Sequence, residues 1–188
     1  TVDPFDDARQ RHAAGVFGMW LFLAMLAMLF GATILGYLVV RVNADPMEPF
    51  VPDDAPPLPR LLLASTLALL ASSATMHGTV RAVRGGRQGA AARLAGSTLL
   101  LACAFLLVQA WAWVELWRQN VRIGDGLYAW TFYVLTALHA LHVIGGLVPL
   151  CVVWWRAGRG GYSPQHPEGV VYCAMYWHFL DAVWLLLY

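Results

Sequence analysis

The chain has 188 residues, 60% of them hydrophobic and only 12% charged, with a mean hydropathy of +0.59 and nine tryptophans. A soluble domain of this length needs a charged shell that such a composition cannot supply, so the class is integral membrane. The formal net charge of +1 excludes the clustered basic surface that nucleic acid requires, and three cysteines without CxxC spacing (Cys103, Cys151, Cys173) exclude a disulfide framework or a zinc pattern.

The N-terminal arm, "TVDPFDDARQRH", is acidic and polar, unlike the charged-then-apolar layout of a cleavable signal, so the first span is expected to stay in the mature protein. From there, runs long enough to cross a bilayer at 1.5 Å per residue follow one another. Gly15 to Val40, Leu61 to Val80, Leu94 to Val114 and Gly126 to Trp155 carry no Asp, Glu or Arg, and Gly169 to Tyr188 carries only Asp181. In lipid each backbone group must be paired within its own segment, and strand-period alternation is absent. The expected fold is therefore all-α, a single membrane domain over 1–188 with spans near 15–40, 61–80, 94–114, 126–155 and 169–188. The first loop, "NADPMEPFVPDDAPPLPR", is acidic and proline-rich and suits an extended outer segment.

Arginine supplies all twelve basic residues, a bias without a physical requirement that fits a GC-rich bacterial genome. Eight arginines fall on the side of the N-terminal arm and the second and fourth loops, against four on the other side. That asymmetry predicts a cytoplasmic N-terminus and a periplasmic C-terminus in a bacterial inner membrane.

Polar side chains at membrane depth are costly and face protein, water or headgroups. They are His77 in the second span, Gln109 in the third, Thr136, His139 and His142 in the fourth, and His178 with Asp181 in the fifth. Thr136, His139 and His142 step by three, with Gly146 four further on, so they share a helical face, which carries Gly145 or Gly146 where another helix can approach. Two histidines at i and i+3 without a carboxylate make a poor metal site, and a packing stripe explains them better. Asp181 lies seven residues from the outer end, too deep for easy solvation, and is expected to have a hydrogen-bond donor. Trp111, Trp113 and Trp117, with Trp154 and Trp155 at the other end of the fourth span, fit interfacial belts, and Glu115 fits the headgroup level. No GxGxxG, P-loop or Ser/His/Asp set is present, so these residues yield no catalytic centre.

Three stretches, "GMWLFLAMLAMLFGA", "TFYVLTALHALHVIGG" and "YWHFLDAVWLLLY", resemble subunit III of the haem-copper oxidases in its short, five-helix bacterial form. At the C-terminus Tyr176, Trp177, His178, Phe179, Asp181 and Trp184 fit the family pattern, with Leu180 in place of Val. In the fourth span Thr136, His139, His142 and Val143 fit, while Ala137 and Ala140 stand where glycines are usual. The first span matches at Gly18, Met19, Trp20, Leu21, Phe22 and Leu23. Met25 and Leu26 stand where the family pattern has Ser-Glu. Gln109 is followed by Ala112 and Trp113 instead of Glu-Tyr or Glu-Trp, so no role of those glutamates carries over.

The resemblance implies a non-catalytic subunit without haem, copper or other cofactor of its own, docked on subunit I beside subunit II, which carry the haem and copper. It would hold structural phospholipids and support proton uptake, stable turnover and aerobic electron transport. Lipid-binding or subunit-interface candidates are Trp20, Gln109, Thr136, His139, His142, Trp177, His178 and Asp181. Two other readings remain open at this stage. One is an accessory subunit of a nitric oxide reductase, and the other is a membrane b-type cytochrome holding haem through His139 or His142 and His178.

Overall fold

The computed structural model describes residues 8–43, 61–124 and 126–187, so the acidic first loop lies outside the described residues. It consists of five helices: α1 (Ala8–Val42), α2 (Leu61–Arg84), α3 (Gln88–Arg118), α4 (Leu127–Gly158) and α5 (Glu168–Leu187). Among the described residues the sole extended pairing is an isolated bridge between Ser163 and His166. The chain is thus an all-helical membrane bundle.

The helices outrun the uncharged runs because a membrane limits where charge can sit, not where a helix can continue. At 35 residues α1 reaches about 52 Å, well beyond a hydrocarbon core of about 30 Å. Among the described residues α1, α3, α4 and α5 are long and apolar enough to cross a membrane by length and composition. Helix α2 falls outside that group because Ser65, Thr66, Ser72, Ser73, Thr75, His77 and Thr79 dilute its apolar residues. Most of those hydroxyls are spent within the helix. Ser65 and Thr66 donate to the Leu62 carbonyl, Ser72 to Leu69 and Thr79 to Thr75, at 2.7–2.9 Å.

The helix ends are closed by the same device three times. After α2 the Arg87 N–H bonds the Ala82 carbonyl and the Gly86 N–H bonds Val83, with Gly86 at φ +69°. After α4, Gly161 bonds Arg156 and Gly160 bonds Ala157, with Gly160 at φ +68°. After α3, Asn120 takes the left-handed position at φ +59°, between Val121 bonding Leu116 and its own bond to Trp117. These are Schellman turns, which satisfy the last carbonyls of each helix where the chain reverses.

In lipid, helices are not driven together by the hydrophobic effect but by close packing and polar contacts. The buried stripe of α3 reads Ala91, Ala95, Thr98, Ala102, Phe105, Gln109, Ala112 and Leu116, small at most turns, and this lets α2 lie close against it. Thr75 and Thr98 join the two helices through their hydroxyls at 2.8 Å. Next, α4 packs on α3, and α5 closes the bundle against α2 and α4. Helix α1 is peripheral: it touches α5 and α4 and, among the described residues, makes no contact with α2 or α3.

Candidate functional site

The polar groups of the fifth helix meet α2 along an antiparallel seam. Trp184 donates its indole N–H to Thr66 Oγ1 at 3.0 Å, and Trp177 donates to Ser72 Oγ at 3.0 Å. His178 Nδ1 lies 2.8 Å from Ser73 Oγ. From Trp177–Ser72 to Trp184–Thr66 the number rises on α5 and falls on α2, as antiparallel packing requires. Beyond the N-terminal end of α5, Gln88 Nε2 bonds the Tyr162 carbonyl. Burial pushes the Tyr162 phenol above the usual tyrosine value, while the Arg156 guanidinium, 5.1 Å from its ring centre, acts the other way.

Asp181 sits behind this seam, one turn from His178 and only 5% exposed. The donor expected for it is not present among the described residues. Neither carboxylate oxygen has a hydrogen-bond partner, and the nearest cationic candidate, His178 Nδ1, is 3.6 Å away and already bonded to Ser73.

His139 is fully buried, and both ring nitrogens lack partners among the described residues. It stands in a box of aromatic rings. The Trp184 centroid is 5.1 Å away, Phe105 meets it edge-on at 5.9 Å, and Phe30 is at 6.3 Å. His142, one turn on, turns toward α1, with Phe30 at 5.0 Å and its Nδ1 2.7 Å from the Leu138 carbonyl of its own helix. The three histidines therefore point to three environments: the aromatic core, the α1 contact and the α2 seam. Among the described residues no three His, Cys, Asp or Glu side chains converge where a metal ion could bind.

The remaining candidates divide between outside and inside. Trp20 is 61% exposed on the outer face of α1. Gln109 is buried on α3 with both amide atoms unpartnered. Thr136 accepts the Trp113 indole N–H at 3.2 Å while donating to the Phe132 carbonyl at 2.7 Å. Trp113 therefore leaves the expected belt. Trp111 and Trp117 are exposed, but a helix turns Trp113 about 200° from Trp111, onto the α4 side. Gly146 gives the close approach expected of it: a Cβ there would stand 2.8 Å from Tyr176 Cε1 and 3.2 Å from Trp177 Cζ3.

Sequence reading missed Ser72, Ser73 and Thr66, the α2 side of the seam. A signal existed in the seven-residue spacing of Trp177 and Trp184, matched by the six between Thr66 and Ser72. It was ambiguous because hydroxyls in a membrane helix usually bond their own backbone.

Toward the C-terminal end of α5 a cavity of about 450 Å³ opens between α1, α4, α5 and Leu62 of α2. Its walls are apolar at Leu38, Phe132, Leu135 and Leu186, and its rim carries Arg41 and Tyr128.

The family model described as Cytochrome c oxidase subunit III matches residues 13–188. The chain belongs to the cytochrome c oxidase subunit III family. It is 33% identical over 175 residues to a protein of Synechocystis sp. named Cytochrome c oxidase subunit 3, covering 92% of this chain and 72% of that one. A relative of that name from the squid Heterololigo bleekeri is 34% identical over 147 residues, 78% of this chain and 52% of its own length. A Rickettsia prowazekii protein named Probable cytochrome c oxidase subunit 3 is 34% identical over 126 residues, 66% and 44% respectively. The chain thus spans about half the length of several relatives it matches. In this chain Leu26 and Ala112, which stand where the family pattern has glutamates, are both buried, so two interior positions are apolar here.

Proposed function

We propose that this subunit III is the non-catalytic, structural subunit of a respiratory haem-copper terminal oxidase in a bacterial inner membrane. It docks on subunit I beside subunit II, whose haem and copper do the redox chemistry. One observation carries the reading. Trp113, Trp177, His178 and Trp184 commit polar atoms to Thr136, Ser72, Ser73 and Thr66 of neighbouring helices, the behaviour of side chains that hold a bundle together. The b-type cytochrome reading draws no support from histidines that face three ways.

The cavity at the C-terminal end of α5 suits a structural phospholipid. Its apolar walls match acyl chains, and Arg41 at the rim supplies a cation for an anionic headgroup. A subunit that holds lipid against its partner supports proton uptake and turnover by keeping the catalytic subunit's surroundings fixed. The arginine asymmetry favours a cytoplasmic N-terminus. Labelling of Gln165→Cys by an impermeant thiol reagent only after the inner face is opened agrees with that orientation, and labelling in sealed cells reverses it.

The test of function is to tag the chain, purify it from native membranes in mild detergent and identify every co-purifying chain by mass spectrometry. Recovery of a haem-bearing subunit I and a copper-bearing subunit II is expected. Recovery of a nitric oxide reductase, or of this chain alone with bound haem, would overturn the reading.

A further inference from the structure

Helices α1 and α2 both lean on α5 but, among the described residues, do not touch each other. On α5, Tyr176 and Phe179 stack toward Phe22 and Phe30 of α1, while Trp177 and Trp184 bond α2. Between these two contact faces the outward strip of α5 carries Met175, His178 and Ala182. The result is an open groove with α5 as its floor and α1 and α2 as its walls.

This groove is polar where lipid would need it apolar. The His178 side chain is 39% exposed on the floor. On the α2 wall His77 is exposed, its ring centre 6.3 Å from that of His178, and Ser73 stands between them. His178 Nδ1 is engaged by Ser73, and the side chain of His77 makes no hydrogen bond among the described residues. His178 lies ten residues from Glu168, about 15 Å along the helix and thus near the middle of a bilayer core of about 30 Å. His77 lies seven residues from Arg84, about 10 Å in. Headgroups and bulk water do not reach that depth, and acyl chains cannot accept or donate a hydrogen bond.

We propose that the groove between α1 and α2, floored by α5 and bearing Ser73, His77 and His178, seats a transmembrane helix of a partner chain that presents a hydrogen-bonding side chain at mid-membrane. Leu100 and Leu107, exposed on α3, offer apolar surface that lipid covers equally well. Imidazole can donate or accept, so the occupant's side chain is a carboxylate, amide or hydroxyl placed within reach of the His77 ring. The proposal rests on the reading of the chain as an oxidase subunit and identifies which face makes the contact.

The experiment uses the intact complex. In a Cys103→Ser, Cys151→Ser background, a benzophenone is attached at Leu70→Cys on the α2 wall, at Ala182→Cys on the floor, and at Leu107→Cys on α3 as the control face. Illumination is expected to link the two groove sites, and not Leu107→Cys, to another chain of the complex. Separately, His77→Leu is expected to lower the partner retained in rising detergent by about tenfold, the scale of one interhelical hydrogen bond, and His77→Gln to restore it. Groove adducts with lipid alone or with a second copy of this chain would overturn the proposal. So would adducts only from α3, or undiminished retention in His77→Leu. If partner chains still co-purify in those cases, the reading of the chain as an oxidase subunit survives; if none ever co-purifies, that reading fails on its own.

Discussion

Trp177 and Ser72 meet at 3.0 Å, indole N–H to hydroxyl oxygen, and two turns further along α5 Trp184 meets Thr66 at the same distance. Both hydroxyls also donate to their own helix, Ser72 to the Leu69 carbonyl and Thr66 to Leu62. Each hydroxyl therefore spends its single proton on the backbone and a lone pair on the indole, and neither buried indole is left unpaired. A donor-only indole and a hydroxyl fixed by its own backbone fit in one register, which is why the seam locks α5 against α2.

Removing either acceptor should show this coupling. Ser72→Ala and Trp177→Phe are each expected to destabilise the bundle, with a double-mutant coupling of about 0.6–1.7 kcal/mol, the range for interhelical bonds in membranes. Unfolding in mixed micelles of increasing dodecyl sulfate measures it. Additive single effects would mean that the contact carries no energy.

Gly146 and Gly145 are adjacent but face different surroundings. A Cβ at Gly146 meets the Tyr176 and Trp177 rings at 2.8 and 3.2 Å, whereas at Gly145 the nearest atom is the Tyr176 hydroxyl at 4.0 Å. Gly146→Ala should cost about 1–3 kcal/mol by overpacking, and Gly145→Ala should be close to neutral or stabilising. Equal thermal stability of the two variants in detergent would contradict the close α4–α5 approach.

Asp181 has no hydrogen-bond partner among the described residues, and the imidazole nearest to it, His178, is hydrogen-bonded to Ser73. Asp181→Ala is expected to lower the yield of assembled complex several-fold, while turnover per haem in the complex that does form stays near wild type. Haem content and oxygen consumption of the purified complex separate the two quantities. Full assembly with lost electron transfer would give Asp181 a chemical role.

Arg41 borders the cavity at the C-terminal end of α5, bonding the Tyr37 hydroxyl at 3.2 Å with its guanidinium over that ring. Arg41→Ala is expected to remove one anionic phospholipid per complex, read by native mass spectrometry, and to quicken the loss of activity during turnover. An unchanged lipid count would leave the cavity without an anionic ligand.

The five helices were legible because a membrane demands long uncharged runs and permits few other backbone solutions. The family resemblance rested on clustered motifs such as Tyr176 to Trp184, whose order along the chain needs no coordinates. Helix facing was legible only in part: spacing pointed to Gly145 or Gly146 for the close approach, and the structure places it at Gly146. Trp113 was misjudged because a belt of tryptophans looks alike in sequence, and a turn of about 200° sends one of them to Thr136.

The sequence alone therefore determined the class and the number of helices, because composition and run length are local properties. Tertiary structure decided the surroundings of the polar residues: Ser72 for Trp177, an aromatic box for His139, no hydrogen bond among the described residues for Asp181, and an open groove beside His77. Those outcomes depend on the relative rotation and register of two helices separated by up to about a hundred residues, and local sequence does not encode that relation.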